Sequence, residues 1–544
     1  MVSPSVAPAT ESARPEVCPA PWYLCMRMSA NAKRATPAQQ ALVIGAVFFI
    51  AYLLTRTRNL GGDDTVFAMA VDNFLSGGAP SREVFHPHHP IFNPLVAALC
   101  WVLRLAGLHP FTADVGAAVA ALFAAGVAGG LVLVLRRAGM SEGPALLAAA
   151  IAGASGGLWR YGTCMEVYAL AAATVLLWLA VVGQERPHPI PSGLALAATM
   201  LGHLAAGLLV LPTAIRLRRR PAALVRALAV GVGLAAAVLI AMFVLCYHAH
   251  TPRQWLQVVV PGHGGDYLRP PSPAAALRAL HGLALWDWYR SVPIFSATTS
   301  RWLDVAGAAA AALLLVTLAA GVLAAFRDRH PLAVTAGLAL AGYVPLWLVW
   351  DVGNVEHAVA ATPLFATLLA FGAAKLPRRS GELALSAALV LMLVVNGLAS
   401  AVPQSRPENS RECVIASFVS TSVPSDAVIL SVGVDPRLRL SLPYLSGRRF
   451  VTLTLDVESA RAQGRPPLDG LAYWLRAGKA ARSVWVTPDV LDPRTMAWIG
   501  QLDVPPGIWV QFVAAARPGQ RRVLPSDGAV IREPFVLTEI TLAD

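Results

Sequence analysis

The sequence has little charge for its length. Of its 544 residues, 14% are Asp, Glu, Lys or Arg, whereas 56% are hydrophobic. A soluble globular protein carries about 25% charged residues, so this composition excludes an ordinary soluble fold for most of the chain. Apolar runs long enough to cross a lipid bilayer, which takes about 20 residues, recur from Ala41 to Val402 and then stop.

Several common site patterns are missing as well. The six cysteines form no CxxC pair and follow no metal-binding spacing, so we interpret them as small core residues. No GxGxxG follows a predicted strand, and a dinucleotide site is therefore not indicated. Residues 1–37 are rich in Ala, Pro and Ser and lack a signal-peptide core; we predict a disordered cytoplasmic tail.

The formal net charge of +12 indicates topology rather than nucleic-acid binding. Basic residues cluster in short loops at Arg136-Arg137, Arg216 to Arg220 and Arg378-Arg379, as the positive-inside rule predicts for cytoplasmic loops. The rule then gives about eleven spanning helices of an inner-membrane protein, with a cytoplasmic N-terminus and a periplasmic C-terminal region. The predicted spans are 39–55, 111–135, 144–158, 167–182, two short helices within 193–217 broken near His203, 222–246, 303–326, 332–350, 358–373 and 382–401.

One apolar stretch, residues 91–108, is not counted as a span. It contains Arg104 and is bracketed by prolines, and a crossing here would place Arg136-Arg137 outside. We therefore predict an interfacial helix that lies along the outer surface.

The chain is predicted to divide into a membrane domain, 38–402, and a small soluble α/β domain on the outer face, 403–544. The membrane domain has outer loops at 56–110 and 247–301, and the aromatic run from Trp286 to Tyr289 in the second loop suits a lipid–water belt. Strands are predicted at 427–433, 449–455, 483–486 and 508–514, with helices at 408–423, 468–480 and 493–502. This alternation favours a partly parallel sheet covered by helices.

Two adjacent carboxylates, Asp63 and Asp64, follow the first predicted span. Membrane insertion does not require them, so they are either part of a solvated turn or a functional group, such as a general base or a metal ligand. A carboxylate near the lipid boundary loses solvation, which raises its pKa toward a value useful for proton transfer.

Histidines form the second candidate group. His86, His88 and His89 alternate with prolines and precede Asn93. They could bind a metal or a phosphate, donate hydrogen bonds, or only form a rigid turn, and their spacing matches no standard zinc motif. His203 lies inside an apolar hairpin, where a hydrogen bond to a carbonyl group is the simplest role.

Two further polar clusters lie at predicted outer ends of helices. Arg160 and Glu166, followed by Tyr168, belong to the hairpin between the third and fourth spans. Charged groups at a membrane border need a partner or a function, so the alternatives are a structural Arg160–Glu166 ion pair and a contact from Arg160 to a donor phosphate. The second cluster, which could cap helices or bind a head group, comprises Asn354, Glu356 and His357.

In their order along the chain, these motifs resemble the GT-C superfamily of membrane glycosyltransferases. The shared set is an acidic pair after the first span, a His-Pro segment, a span ending in Arg-Arg, a Trp…Glu-Val-Tyr-Ala-Leu hairpin at 159–170 and a Gly-His…Leu-Pro segment at 202–212. The branch that this chain looks most like includes bacterial proteins and a eukaryotic protein O-mannosyltransferase. The branch pattern Gly-Asp-Ser-Gly-Glu is not kept, because Val66 and Phe67 stand here and the second acid is the adjacent Asp64.

The resemblance implies an integral membrane glycosyltransferase that takes a sugar from a polyprenyl-phosphate donor. The acceptor would be a glycan, a lipid or a protein on the outer face. Asp63 or Asp64 would be the general base, and Asp63 is preferred because it follows Gly62 as in the pattern. The residues predicted to bind substrate or donor are His86, His88, His89, Asn93, Arg160, Glu166, Tyr168, His203, Asn354, Glu356 and His357.

The resemblance favours a site with no obligatory cofactor or metal, although oligosaccharyltransferases of this superfamily use a divalent metal. Two other functions stay open. A transporter or flippase of lipid-linked glycans would be expected to show inverted repeats and charges near the bilayer midplane, and neither is found. A non-enzymatic membrane scaffold would not need polar residues concentrated on one face.

Overall fold

A computed structural model describes residues 35–542, apart from 59, 61, 79–83, 260–269, 271, 291–293, 350–355, 378 and 463. Nearly all of the predicted N-terminal tail lies outside this range. The described part is a polytopic helical membrane protein with a small C-terminal sheet. Six of its helices are long and apolar enough to cross a membrane: Pro37–Leu54, Thr112–Arg137, Pro221–Tyr247, Ala297–Asp328, Pro331–Leu348 and Ser380–Gln404.

Shorter helices pack between and above these six. They are Gly62–Leu75, Phe92–Leu105, Glu142–Ala154, Gly156–Gly162, Tyr168–Val182, Pro189–Gly202, Leu204–Leu209, Val210–Leu217, Pro252–Val259, Pro273–Ala284, Trp288–Arg290, Glu356–Val359 and Thr362–Lys375. The break predicted within 193–217 is confirmed at His203. Its backbone is extended, and its Nδ1 accepts a hydrogen bond from Ala205 N at the start of the next helix.

The stretch predicted to be interfacial forms the helix Phe92–Leu105. Its 14 residues are fewer than the about 20 that a span needs. The Arg104 guanidinium pairs with Asp72 at 2.6 Å, and Thr112 Oγ1 donates to the same carboxylate at 2.7 Å. The charge of Arg104 is therefore compensated within the protein, and it is the short length of the helix that favours the predicted interfacial placement.

The C-terminal part folds around a five-stranded sheet. Its strands are β1 Val428–Ser431, β2 Arg449–Thr452, β3 Val484–Val486, β4 Ala516–Leu524 and β5 Phe535–Leu542, in the order β2-β1-β3-β5-β4. β1 is parallel to both β2 and β3, and β5 is antiparallel to both β3 and β4. The prediction of a partly parallel sheet is confirmed.

Helices cover both faces of this sheet, because successive strand residues point to opposite sides. Val428 and Leu430 of β1 pack into one core with Trp474, whereas Ile429 packs into the other with Ile415. The helices are Pro407–Asn409, Arg411–Ser422, Pro436–Ser446, Leu453–Ala462, Pro467–Lys479, Pro488–Leu491, Thr495–Gln501 and Pro506–Ala515.

The predicted strand at 508–514 is wrong. The segment lies in the helix Pro506–Ala515, which begins at a proline, a residue suited to the first helical turn. Trp509 and Phe512 are three residues apart and therefore share a helix face, where both rings contact Trp474. Burial of these aromatic rings stabilises the helix although the local composition favours a strand.

Strands β4 and β5 were not predicted at all. β4 contains Pro518 and Gly519 among three arginines and is almost wholly exposed. It is an edge strand with a single partner, a position where proline and charged residues are tolerated and where they prevent pairing with other chains. The sequence of β4 therefore lacks the alternation of apolar and polar residues by which a strand is usually recognised.

One helix of the soluble domain, Pro436–Ser446, contacts the membrane domain, and we call it the docking helix. The Tyr444 ring lies 4.6 Å from the Phe111 ring, measured between centroids, and Tyr444 Oη accepts a hydrogen bond of 3.3 Å from Ala113 N. The soluble domain is thus fixed beside the start of the second long span.

Candidate functional site

A cavity of about 460 Å³ opens where the helix Gly62–Leu75, the 156–168 hairpin and the docking helix meet. Five carboxylates and two arginines contribute to its wall, so we call it the acidic cavity. Its lining residues are Thr57, Asp63, Asp64, Arg160, Tyr161, Cys164, Glu166, Trp286, Asp287, Trp288, Glu356, Gln404 and Arg437. A charged cavity at the ends of apolar helices suits a polar reaction of a membrane-bound substrate.

The acidic pair begins the helix Gly62–Leu75, which we call the aspartate helix. Asp63 is exposed to the cavity, whereas Asp64 is only 4% exposed. A helix N-terminus favours an ionised carboxylate, but the cavity wall removes part of the water around Asp63, and this loss of solvation together with the charge of Glu356 raises the pKa of Asp63. Asp63 is therefore the carboxylate of the pair that a substrate in the cavity can reach.

Arg160 is carried by the short helix Gly156–Gly162. Gly156 allows this helix to pack closely, because a Cβ atom there would lie 2.5 Å from Trp286 N. The Arg160 guanidinium carbon lies 5.0 Å from the centre of the Tyr161 ring and faces the cavity. The described contacts include no direct salt bridge between Arg160 and Glu166, but the two charges are close enough to attract each other. Burial and the neighbouring Asp64 raise the pKa of Glu166.

Tyr168 links three separate segments at one side of the cavity. Its hydroxyl donates to Glu356 Oε2 at 2.9 Å, and its ring lies 5.5 Å from the His203 ring and 4.9 Å from the Tyr161 ring. Glu356 itself lines the cavity. The described structure therefore brings together residues predicted from three distant stretches. Asn354 and the side chain of His357 lie outside the described residues.

The three histidines of the His-Pro segment, residues 86–89, pack together beside the aspartate helix. The His86 and His89 rings stack with centroids 4.1 Å apart, and the His89 ring lies 5.2 Å from Phe67, one helical turn beyond Asp63. His88 Nε2 donates to Val259 O at 2.8 Å. The histidine segment thus adjoins the acidic cavity but does not line it.

His86 and His89 are hydrogen-bonding groups rather than cations near neutral pH. Burial, together with the charge of His88, lowers the pKa of His86 to about 4. Burial also lowers the pKa of His89, with His86 and His203 adding to the effect. Asn93 is fully buried in the next helix, Phe92–Leu105.

An apolar groove of about 520 Å³ runs along the other side of the histidine segment. It lies between the interfacial helix and the long helix Pro221–Tyr247, and its lining includes no charged residue. The lining residues are Phe85, Pro90, Ile91, Pro94, Leu95, Val238, Ala241, Met242, Leu245 and Cys246. The histidine segment therefore separates an apolar groove from the acidic cavity.

Sequence reasoning missed several lining residues, above all Trp286, Trp288 and Arg437. The lipid–water belt predicted for the aromatic run is wrong, because Trp286 and Trp288 are buried at 7% and 8% exposure. Asn396 Oδ1 accepts from Trp286 N at 2.7 Å, and the Ser400 hydroxyl donates to Trp286 O. The two polar side chains belong to a π-helical stretch, Leu393–Ala401, that ends the last span.

Asn396 also supports the Arg160 hairpin. Its Nδ2 donates to Ala154 O at 2.7 Å and to Ala284 O at 2.8 Å. Ala154 is the last residue of a helix that is interrupted at Ser155, so its carbonyl needs an external partner. One buried amide thus ties together the hairpin, the aromatic run and the last span. In the sequence, the indication of this role was the presence of a polar residue, Asn396, within the predicted span 382–401.

Among the residues that the structure describes, no group of three or more His, Cys, Asp or Glu side chains has the arrangement of a metal site. The carboxylates of the acidic cavity are instead spread over four chain segments.

A second cavity, of about 290 Å³, lies in the soluble domain at the carboxyl ends of β1 and β3. We call it the sheet-edge crevice. Three arginines and four carboxylates contribute to its wall: Arg411, Arg439, Arg494, Asp435, Asp489, Asp492 and Glu533.

No protein-family model matches this sequence, and no curated protein matches it either. Among solved structures, ArnT from Cupriavidus metallidurans bound to undecaprenyl phosphate matches with a TM-score of 0.57 at 14% identity, over 96% of this chain and 98% of that one. The chain has a GT-C fold. ArnT in the apo state matches with a TM-score of 0.54 at 14% identity, over 92% of this chain and 97% of that one. The structural similarity thus extends over both the membrane and the soluble parts, whereas the ordered motifs all lie in the membrane domain.

Proposed function

We propose that this protein transfers a sugar from a polyprenyl-phosphate donor to an acceptor hydroxyl on a glycan, lipid or protein at the periplasmic face of the inner membrane. The observation that carries the proposal is the acidic cavity, in which the reachable carboxylate Asp63 and the guanidinium of Arg160 face the same space. The first is suited to accept a proton and the second to bind a phosphate.

The apolar groove gives a place for the polyprenyl tail. Its walls are apolar, and it lies beside the histidine segment, whose other neighbour is the aspartate helix. A lipid in the groove would bring its phosphate to the histidine segment and then to the cavity. ArnT, which shares the fold, was solved with undecaprenyl phosphate bound, and this supports a lipid carrier of that class.

Asp63 would act as the general base in a single displacement. The acceptor hydroxyl gives its proton to Asp63 while its oxygen attacks the anomeric carbon of the donor sugar. The bond from that carbon to the phosphate oxygen breaks, and polyprenyl phosphate leaves with one more negative charge. Such an inverting transfer needs one carboxylate, in contrast to the two of a retaining hydrolase.

The other cavity residues fit roles around this step. Arg160 would stabilise the departing phosphate. Glu166 and Glu356 would hold sugar hydroxyls by hydrogen bonds, with Tyr168 fixing Glu356. The aromatic rings of Trp286 and Trp288 give a surface on which a sugar ring can pack.

The test is sugar transfer in membranes from a panel of labelled undecaprenyl-phosphate monosaccharides. D63N should lower the rate by about 1000-fold, within the range for loss of a general base, and D64N should lower it less because Asp64 is buried. D503N, an exposed aspartate of the soluble domain, is the control. Full activity in D63N and D64N would refute the mechanism, and lipid translocation without sugar transfer would favour a flippase.

A further inference from the structure

Beyond the last long span, which ends at Gln404, one described lining residue of the acidic cavity belongs to the soluble domain. Arg437 is the second residue of the docking helix, and its exposed side chain lines the cavity together with Asp63 and Arg160. Asp435 caps the helix and accepts hydrogen bonds from Arg437 N at 2.9 Å and Leu438 N at 3.3 Å. The backbone that carries this guanidinium is therefore fixed at its first turn.

Contacts on both sides hold the docking helix in place. On the membrane side, Tyr444 packs on Phe111 and accepts from Ala113 N. On the soluble side, Arg411 pairs with Asp435, the helix cap, at 2.7 Å. Arg437 reaches the cavity only because the two domains dock, so the wall of the cavity is incomplete without the soluble domain.

The proposed reaction requires positive charge near the phosphate, and among the described lining residues the membrane domain supplies one arginine, Arg160. A polyprenyl-phosphate sugar is a phosphodiester with one negative charge. The departing polyprenyl phosphate is a monoester with a charge of about −1.5 to −2 at pH 7. Arg160 and Arg437 are the two guanidinium groups among the described lining residues, whereas five of those residues are carboxylates.

We propose that Arg437 binds the phosphate of the polyprenyl carrier, so that the soluble domain supplies the second of two guanidinium groups that hold the departing group. This inference rests on the proposed function. A guanidinium matches a phosphate through two parallel N–H···O bonds, and its attraction grows as the second negative charge develops. Arg437 therefore stabilises the transition state and the product more than the donor.

Binding separates this role from a structural one. The probes are undecaprenyl phosphate, which carries close to two negative charges, and its methyl ester, which carries one. In full-length protein, R437Q should weaken binding of undecaprenyl phosphate by 10-fold or more and binding of the methyl ester by about 3-fold or less. R437K should recover part of the loss.

Arg439 provides a matched control, because it lies two residues further along the docking helix and lines the sheet-edge crevice instead. R439Q should leave both affinities and the transfer rate within about 2-fold of wild type. R437Q should lower the transfer rate by about 100-fold, as expected for loss of one preorganised donor to a developing anion, without changing the acceptor KM.

Two results would overturn the inference. One is an R437Q protein that binds both lipids like wild type; the other is a variant whose only defect is a raised acceptor KM, which would make Arg437 an acceptor-binding residue. A wild-type protein that transfers no sugar, while R437Q selectively loses undecaprenyl phosphate, would refute the proposed function and leave the phosphate contact standing. Thermal unfolding of each variant checks that folding is intact.

Discussion

The acidic cavity and the sheet-edge crevice are lined by the same kinds of charged residue, but they use them differently. In the crevice, Arg411 pairs with Asp435 at 2.7 Å and Arg494 with Asp492 at 2.8 Å. Asp489 accepts a hydrogen bond of 2.8 Å from Gly433 N, in the turn that follows β1. These charges are satisfied by one another and by the backbone, and they hold the strand ends together.

The acidic cavity has five carboxylates and two arginines in its wall, so the charges do not balance. Burial and mutual repulsion raise the pKa values of Asp63 and Glu166. Keeping such groups lowers stability, and perturbed carboxylates in a cavity are typical of functional sites. The balance among charges, more than their number, therefore separates a site for chemistry from a structural cluster.

Among the effects that test this comparison of the two cavities, the largest concerns Arg160 of the acidic cavity and Arg494 of the crevice. R160Q should lower sugar transfer by about 100-fold, because it removes a cationic donor aimed at the phosphate. R494Q should leave the rate unchanged, since the Arg494 side chain is 83% exposed and, among the described residues, forms its salt bridge with Asp492. Initial rates of both variants in the same membranes provide the measurement. Equal losses in the two variants would remove the distinction between the cavity and the crevice.

A smaller effect should appear in the pH dependence of kcat/KM. Asp63 must be ionised to accept a proton, so activity falls as the pH decreases through its pKa. Because the charge of Glu356 helps to raise that pKa, E356Q should move the acidic limb of the profile to lower pH. Normalised profiles of E356Q and wild type are compared, so that a change in maximal rate does not interfere. A limb that stays in place or moves to higher pH would contradict the role of Asp63 as the base.

The smallest effect is one of stability alone. Asp456 of the soluble domain has a buried carboxyl oxygen without a hydrogen-bond partner among the described residues, and burial raises its pKa to about 7. A carboxyl group with a raised pKa in the fold favours folding at low pH, and this contribution is lost as the pH rises through about 7.

D456N removes the ionisable group, so its unfolding temperature should exceed that of wild type by a few degrees at pH 8 and match it at pH 4. Thermal unfolding of the detergent-solubilised protein at both values measures the difference, and sugar transfer at pH 7 should be unchanged. A loss of transfer in D456N would mean that a second charged residue of the soluble domain, besides Arg437, is needed for function. It would weaken the distinction between the acidic cavity and the structural charges of the soluble domain.

The sequence was sufficient for features that depend on local composition. Apolar length and loop charge predicted the helical membrane domain, the break at His203 and the short helix 92–105. The alternation of predicted strands and helices in the tail correctly gave β1, β2, β3 and a partly parallel sheet. The same reasoning failed at 508–514, where packing of Trp509 on Trp474 decides for a helix.

The candidate site could be predicted only in part, because packing between distant residues also decides which side chains line it. Asp63, Asp64, Arg160, Glu166 and Glu356 line one cavity, and each stood out as a charged residue at the end of an apolar helix. Trp286 and Trp288 do not stand out in this way, because aromatic residues occur both at a membrane interface and in the buried wall of a cavity.

By itself, the sequence determined that this is a membrane protein with polar groups concentrated at the ends of its helices, because lipid excludes charge from long apolar segments. Only the tertiary structure decided which of those groups share a cavity. Contacts between residues hundreds of positions apart, such as Tyr168 with Glu356 and Asn396 with Ala154, leave no local pattern. The same holds for Arg437, which reaches the cavity because the docking helix packs on the membrane domain.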